Sequence, residues 1–251
     1  MRKLTSLAVA AAAAALLWTA PASSASLDAK QKEEIEQLVR DYLLKNPEIL
    51  REMSENLQAK EQAAADQARN AALAQSAEPL FKNAGDPVVG NPKGDVTVIE
   101  FMDYNCGWCK KGLAEIATLV ENDKNVRVIF KEFPIFGAGS EFAARAAIAS
   151  SKQGKYWELH QALFKHDGPV TEEVTRQIAS ELGLDMARLE ADMKGESVNN
   201  TLAVTQALAN TLQLTGTPAF IVDDKVFPGY IPQEELLKAI AQVRSAGCKF
   251  C

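Results

Sequence analysis

Val96-Thr97-Val98-Ile99-Glu100-Phe101-Met102-Asp103-Tyr104-Asn105-Cys106-Gly107-Trp108-Cys109 is the stretch on which the reading of this 251-residue chain turns. Val96–Met102 is a short, nearly continuous apolar run, the pattern of a strand covered on both faces. Residues 110–121 then show helical spacing, and 126–133 read as a further strand. A Cys-x-x-Cys pair therefore sits where a strand passes into a helix within a strand-helix-strand unit, which predicts a parallel or mixed sheet.

That position has chemical consequences. Unpaired backbone N–H groups and the helix dipole at the start of a helix favour a thiolate, so Cys106 is the candidate nucleophile, with Lys110 and Lys111 adding positive charge. Cys109, one turn on, can close a disulfide with it; lying beneath the helix start, it is expected to be the more buried, resolving thiol. Glu100 interrupts the apolar strand six residues before Cys106, where an unpaired charge is costly. It is read either as a relay for the Cys109 proton or as a strand-edge carboxylate facing water.

Working outward, residues 83–95 are rich in Gly, Pro and Asn and mark entry into a domain. Residues 141–210 alternate helical runs with turn signals and read as an all-helical insertion. Residues 219–222 and 225–227, joined by Asp223-Asp224, form a hairpin, and an amphipathic helix over 232–243 closes the domain. Thr215-Gly216-Thr217-Pro218 leads into the hairpin; taken alone it is ordinary punctuation.

Upstream, Ile35, Leu38 and Tyr42, then Ile49, Met53 and Leu57, recur at helical spacing, with a break at Asn46-Pro47. Neither helix can bury its apolar stripe alone, so it must dock on the main domain or on copies of itself in another chain, and self-association is the preferred reading. Residues 58–75 are dominated by Ala, Gln and charges and suit a linker helix. At the N-terminus, Met1-Arg2-Lys3 precedes an Ala/Leu-rich run and small residues, the pattern of a secretory signal peptide cleaved near Ala22 or Ala25; a membrane anchor is the alternative. With 27 basic and 33 acidic residues the formal charge is −6, which gives no electrostatic case for nucleic acid.

The four cysteines fall in two pairs, Cys106/Cys109 and Cys248/Cys251. In an oxidising compartment such pairs cycle as disulfides, and a joint zinc site is disfavoured by their wide separation and by the export signal. The terminal pair reads as an inert or auxiliary disulfide, with a shuttle disulfide or a copper(I) thiolate site as alternatives. His160 and His166 lie on different faces of a helix and chelate poorly. No metal or cofactor is expected.

Phe101 to Cys109, with Gly216-Thr217-Pro218 downstream and helices between, resembles the DsbA branch of the thioredoxin superfamily over roughly residues 86 to 245. The resemblance implies a thioredoxin fold with an all-helical insertion, Gly107 and Trp108 as the dipeptide that tunes potential, and a cis bond at Pro218. It also implies a substrate-holding role for Thr217 and its neighbours Gly216 and Pro218. The stretch Val39-Arg40-Asp41-Tyr42-Leu43-Leu44-Lys45-Asn46-Pro47-Glu48-Ile49-Leu50 is similar to the stalk of the ScsC group, suppressor-of-copper-sensitivity proteins, some of which trimerise through it. The expected organisation is a signal peptide (1–25), a helical oligomerisation arm (26–60), an Ala-rich linker (61–82), a DsbA-like domain (83–245, insertion about 138–212) and a tail (246–251). The expected function is that of a periplasmic disulfide isomerase, a homotrimer through residues 27–60. Its clients would be misfolded or cysteine-containing exported proteins, and a membrane partner would set its redox state. A dithiol oxidase or a copper(I)-binding protein is the alternative.

Overall fold

The computed structural model describes residues 27–250, in two compact units that divide after Ala59. The expected leader and Cys251 lie outside the described residues.

In the first unit, helix α1 spans Ala29–Lys45. Asp28 opens it with a capping box: its carboxylate accepts from Gln31 N–H at 2.8 Å while the Gln31 side chain accepts from Asp28 N–H at 3.0 Å. Asn46 closes it, its side-chain amide donating to the Tyr42 carbonyl at 2.7 Å. Helix α2, Glu48–Gln75, begins after Pro47, which supplies a pre-set φ and no N–H where none is needed. No residue of α1 is buried, and Leu38, Tyr42, Leu50, Met53 and Leu57 are all more than half exposed.

The second unit takes up the end of α2 and a short helix α3, Ala77–Phe81. A five-stranded mixed sheet follows: β1 Val88–Gly90, β2 Val96–Met102, β3 Val126–Glu132, β4 Ala219–Val222 and β5 Lys225–Pro228, in the order β1-β3-β2-β4-β5. Only β2 and β3 are parallel, crossed over by α4, Gly107–Asn122. Between β3 and β4 lie α5 (Ala138–Ser150), α6 (Tyr156–Lys165), α7 (Glu172–Glu181), α8 (Met186–Met193) and α9 (Glu196–Thr211); α10, Gln233–Ala246, ends the unit.

Every residue of β2 is buried, because the strand is central and both faces are covered. Alternation sorts its side chains. Val98 and Met102 pack with Ile116 of α4, Phe130, Phe220 and Ile240 of α10. Ile99 and Phe101 pack on the other face with Leu208 and Leu212 beside α9, and with Leu73, Leu80 and Phe81. The Ala-rich stretch read as a linker thus ends in a fully buried Leu73. Strand β1 and helix α3 escape the sequence reading. One is three residues long and the other five with Pro79 inside, both below the length at which periodicity is visible.

Candidate active site

Cys106 is the N-cap of α4, with extended backbone (φ −83°, ψ 116°), and Cys109 sits one turn on, fully buried. Both are free thiols in this structure, so the pair expected as a cycling disulfide is described in its dithiol form. The Cys106 pKa is lowered to about 5, first by a hydrogen bond from the Cys109 thiol, then by Thr217 and by the backbone N–H groups of Cys109 and Trp108. Thr217 reaches the sulfur in two ways. Its carbonyl accepts from the Cys106 thiol at 3.1 Å, and its buried hydroxyl, without a partner in this dithiol form, is free to donate to the sulfur once Cys106 ionises. Cys109 moves the opposite way, its thiol pushed far up by burial and by the neighbouring Cys106 and Glu100. One sulfur is thus set to ionise and the other to keep its proton.

Lys110 and Lys111, expected to add positive charge here, have partners of their own. Lys110 Nζ donates to the carbonyls of His166 and Gly168 at 2.9 and 3.2 Å, and Lys111 Nζ lies 5.2 Å from the Trp108 ring centre and 4.6 Å from that of Tyr230. Trp108 itself is 58% exposed beside the sulfurs.

The loop before Cys106 is clamped at both ends. Asp103 accepts from Asn105 N–H at 2.7 Å and from Ile135 and Phe136 N–H at 2.7 and 3.0 Å. Asn105 donates to Ser140 Oγ and the Val170 carbonyl and accepts from Val170 N–H, tying the loop to the helical insertion. Beside it opens a recess of about 590 Å³ lined by Phe136, Gly139, Pro169 and Lys110. Gly139 is obligatory there, since a Cβ would stand 2.5 Å from the Val170 carbonyl.

Glu100 is 2% exposed in the central strand, so the alternative of an edge carboxylate facing water is overturned. Its Oε1 lies beneath α4, where the missing side chain of Gly112 leaves it room, and has no hydrogen-bond partner among the described residues. Burial, then Cys106 and Glu132, raise its pKa to about 8. The Thr217–Pro218 peptide bond is cis, Pro218 is buried, and Gly216 is exposed at the rim. His160 is buried and His166 lies just beyond the end of α6, so the two do not meet at a common site.

Three polar residues that sequence reasoning does not single out are built into this site: Asp103, Asn105 and Glu132. Glu132 is buried at the end of β3, where it accepts from the hydroxyls of Tyr104 and Tyr156 at 2.8 and 2.9 Å. The available signal is an acid at the end of β3 that shares a face with Val126, Val128 and Phe130, as Glu100 interrupts the apolar run of β2.

At the far end of the domain Cys248 is disulfide-bonded, and Asp223 accepts from the backbone N–H of Lys249 and Phe250 at 2.8 Å each. The Cys248/Cys251 pairing itself involves a residue outside the described ones.

Residues 97–241 match the DSBA-like thioredoxin domain, and residues 31–64 match the copper resistance protein ScsC N-terminal domain. A thioredoxin-like oxidoreductase from Silicibacter pomeroyi is 45% identical, with 68% of this chain and 98% of that one aligned at a TM-score of 0.66. Proteus mirabilis ScsC in a transitional conformation is 29% identical over 89% of this chain and 100% of that one, with a TM-score of 0.63. Disulfide bond formation protein D of Bacillus subtilis is 27% identical over 66% of this chain and 79% of its own length. The first curated relatives, sodium/proton antiporters of Salinispora species, are also 27% identical, and the chain spans 24% of their length. With more than half its length matched and its two thiols at the start of α4 facing a cis-proline, the chain belongs to the DSBA-like thioredoxin family and carries an N-terminal segment of the ScsC type.

Proposed function

We propose that this protein is a periplasmic disulfide isomerase that reshuffles wrongly paired disulfides in exported proteins. The observation that carries the reading is the opposed pair of sulfurs: Cys106 at the N-cap of α4, its pKa lowered to about 5, beside a fully buried Cys109 whose pKa is pushed far up. In this mechanism the Cys106 thiolate attacks a client disulfide, forming a mixed disulfide and releasing a client thiolate. A client thiolate then attacks the mixed disulfide, forming a new client pairing and restoring Cys106. Where no client thiol is in reach, Cys109 gives up its proton, with Glu100 as relay, and attacks Cys106 Sγ. The products are the Cys106–Cys109 disulfide and a reduced client.

The site fits an unfolded client. Trp108 and Phe136 present exposed aromatic surface beside the sulfurs, and the Thr217 backbone runs next to Cys106. Gly216, Thr217 and Pro218 are read as the edge that holds client backbone, and Gly107 and Trp108 as the dipeptide that tunes the potential.

The first unit supports assembly through residues 27–60. Its exposed Leu38, Tyr42, Leu50, Met53 and Leu57 are a larger apolar display than a single chain in water sustains, and the segment matches a ScsC N-terminal domain. A homotrimer would hold one client at several sites and so raise its effective concentration. A membrane partner would keep Cys106 reduced.

Reactivation of a scrambled-disulfide protein by the reduced full chain, compared with a chain beginning near Asn83, tests the reading. The expected result is isomerisation by the full chain alone. If neither isomerises and both oxidise dithiols, the protein is an oxidase instead. The name of the matched N-terminal domain also favours a copper(I) role for the thiols, which titration of the reduced protein and its Cys→Ser variants with copper(I) would reveal.

A further inference from the structure

Behind the redox loop lies a cluster around Glu132 that, Glu100 apart, the exchange chemistry above does not use. Glu132 closes β3 opposite Met102 in the parallel register, and Glu100 pairs with Phe130. Alternation puts Glu100, Met102, Phe130 and Glu132 on one face of the sheet, so the two acids are diagonal neighbours beneath α4 and α6. Glu132 Oε1 takes the hydroxyls of Tyr104 and Tyr156, and both phenol oxygens also stand 3.1–3.2 Å from His160 Nδ1.

The protons in this cluster can be counted. If both tyrosines donate to the carboxylate, their oxygens are left to accept, and a neutral His160 with its proton on Nδ1 serves them. Burial keeps that imidazole neutral by pushing its pKa down to about 3. Glu132 Oε2, by contrast, is buried with no partner, as is Glu100 Oε1. The groups facing Glu132 are Tyr104 and Asp103 from the loop, Tyr156 and His160 from α6, and Glu100 from β2; none is a cation. The adjacent Lys131 points to the other face and pairs with Asp86.

Two carboxyls on one buried face without a counter-charge cannot both ionise freely, so the charge on one sets the proton affinity of the other. We infer that Glu132, held by Tyr104 and Tyr156, is a positioning residue for thiol exchange that acts through Glu100 to set the pH at which Cys109 can be deprotonated. This rests on the proposed resolving role of Cys109. Tyr104 makes the link direct, since it is both a donor to Glu132 and the second residue before Cys106. The step itself balances: the Cys109 proton passes to Glu100, the Cys109 sulfur bonds to Cys106 Sγ, and the bond from Cys106 to the client sulfur breaks to release a client thiolate.

The test uses the full chain carrying a mixed disulfide between Cys106 and a chromogenic aromatic thiol, and follows release of that thiol against pH. Glu132→Gln keeps the acceptor for both tyrosines and removes the charge; the midpoint of the release profile is expected to fall by about one pH unit. Tyr156→Phe, which removes one donor and so leaves Glu132 more protonated, is expected to move it less, in the same direction. It also stands in if the Gln variant does not fold. The alkylation profile of Cys106 in the unmodified dithiol is expected to stay put in both variants. Release at an unmoved midpoint in both variants overturns this inference alone. Absence of release in the parent chain overturns the resolving role of Cys109 as well, and the inference with it.

Discussion

Residues 29–57 and the redox unit use the same kinds of apolar side chain to opposite ends. In the redox unit Val98, Ile99, Phe101 and Met102 are fully buried, each face of one strand feeding a different cluster. In the first unit Leu38 and Leu44 are 67% and 70% exposed on α1, a helix whose caps are well formed. Local signals build both regions. Among the described residues the redox unit finds its packing partners within itself, whereas no residue of α1 is buried, so the completeness of a fold is decided by tertiary closure rather than by helix propensity.

The sharpest way to break this contrast is chemical. Cys106→Ser is expected to abolish thiol exchange in every assay while leaving assembly untouched, whereas Cys109→Ser is expected to accumulate mixed disulfides with clients, seen as thiol-sensitive adducts on gels. Full exchange by the Cys106→Ser variant would remove the assignment. Next in size is the converse experiment. Leu38→Glu with Met53→Glu is expected to reduce the proposed assembly to single chains by light scattering, with the alkylation rate of Cys106 unchanged. An unchanged mass would show that these faces do not hold the assembly.

Inside the redox unit, Lys131 is fully buried against Asp86, with the Pro79 carbonyl 2.8 Å away. Lys131→Met strands a buried carboxylate, and denaturant unfolding is expected to lose about 3–5 kcal/mol. A loss below about 1 kcal/mol would mean that the pair is not closed in solution.

The smallest effect is a pH slope. The folded Cys106 pKa of about 5 lies below its ordinary value of 9.0, so the dithiol form is stabilised where the native thiol is ionised and the unfolded one is not. That stabilisation is complete above the ordinary value and vanishes as the pH falls through about 5. Glu100 and Glu132 act with the opposite sign: raised to about 8, they stabilise the fold at low pH and lose that contribution as the pH rises through 8. Both oxidation states carry these carboxyls, so most of their contribution cancels in the difference in stability between dithiol and disulfide forms, and Cys106 dominates that difference below the ordinary thiol range, above which the raised Cys109 opposes it. It is expected to grow from about pH 5 toward 9, and a flat difference would contradict the thiolate. Thr217→Val, which removes the hydroxyl but keeps the shape, is expected to raise the Cys106 pKa and flatten this slope.

Much of the redox unit is legible from residues alone. Val96–Met102 reads as a buried strand because its run is unbroken, and Asn46-Pro47 marks a helix boundary because Pro restricts the residue before it. The cysteine pair is legible because two residues three apart at a helix start must meet. What stays hidden comes from segments far apart in the chain. Asn105 is tied to Val170 across 65 positions and Tyr104 to Glu132 across 28, and no local period announces either contact. Strand β1 is hidden for a different reason: it exists only because β3 offers it an edge.

The placement of Trp108 gives the molecule an optical reporter of its own. The indole lies between the two cysteines in sequence, exposed to solvent and 5.6 Å from the Tyr230 ring, where closing the sulfurs changes its surroundings. Trp157 is stacked on Phe130 and His160, against the Glu132 cluster. Trp108 and Trp157 therefore divide the site between them, one following the state of the sulfurs and the other the protons behind them.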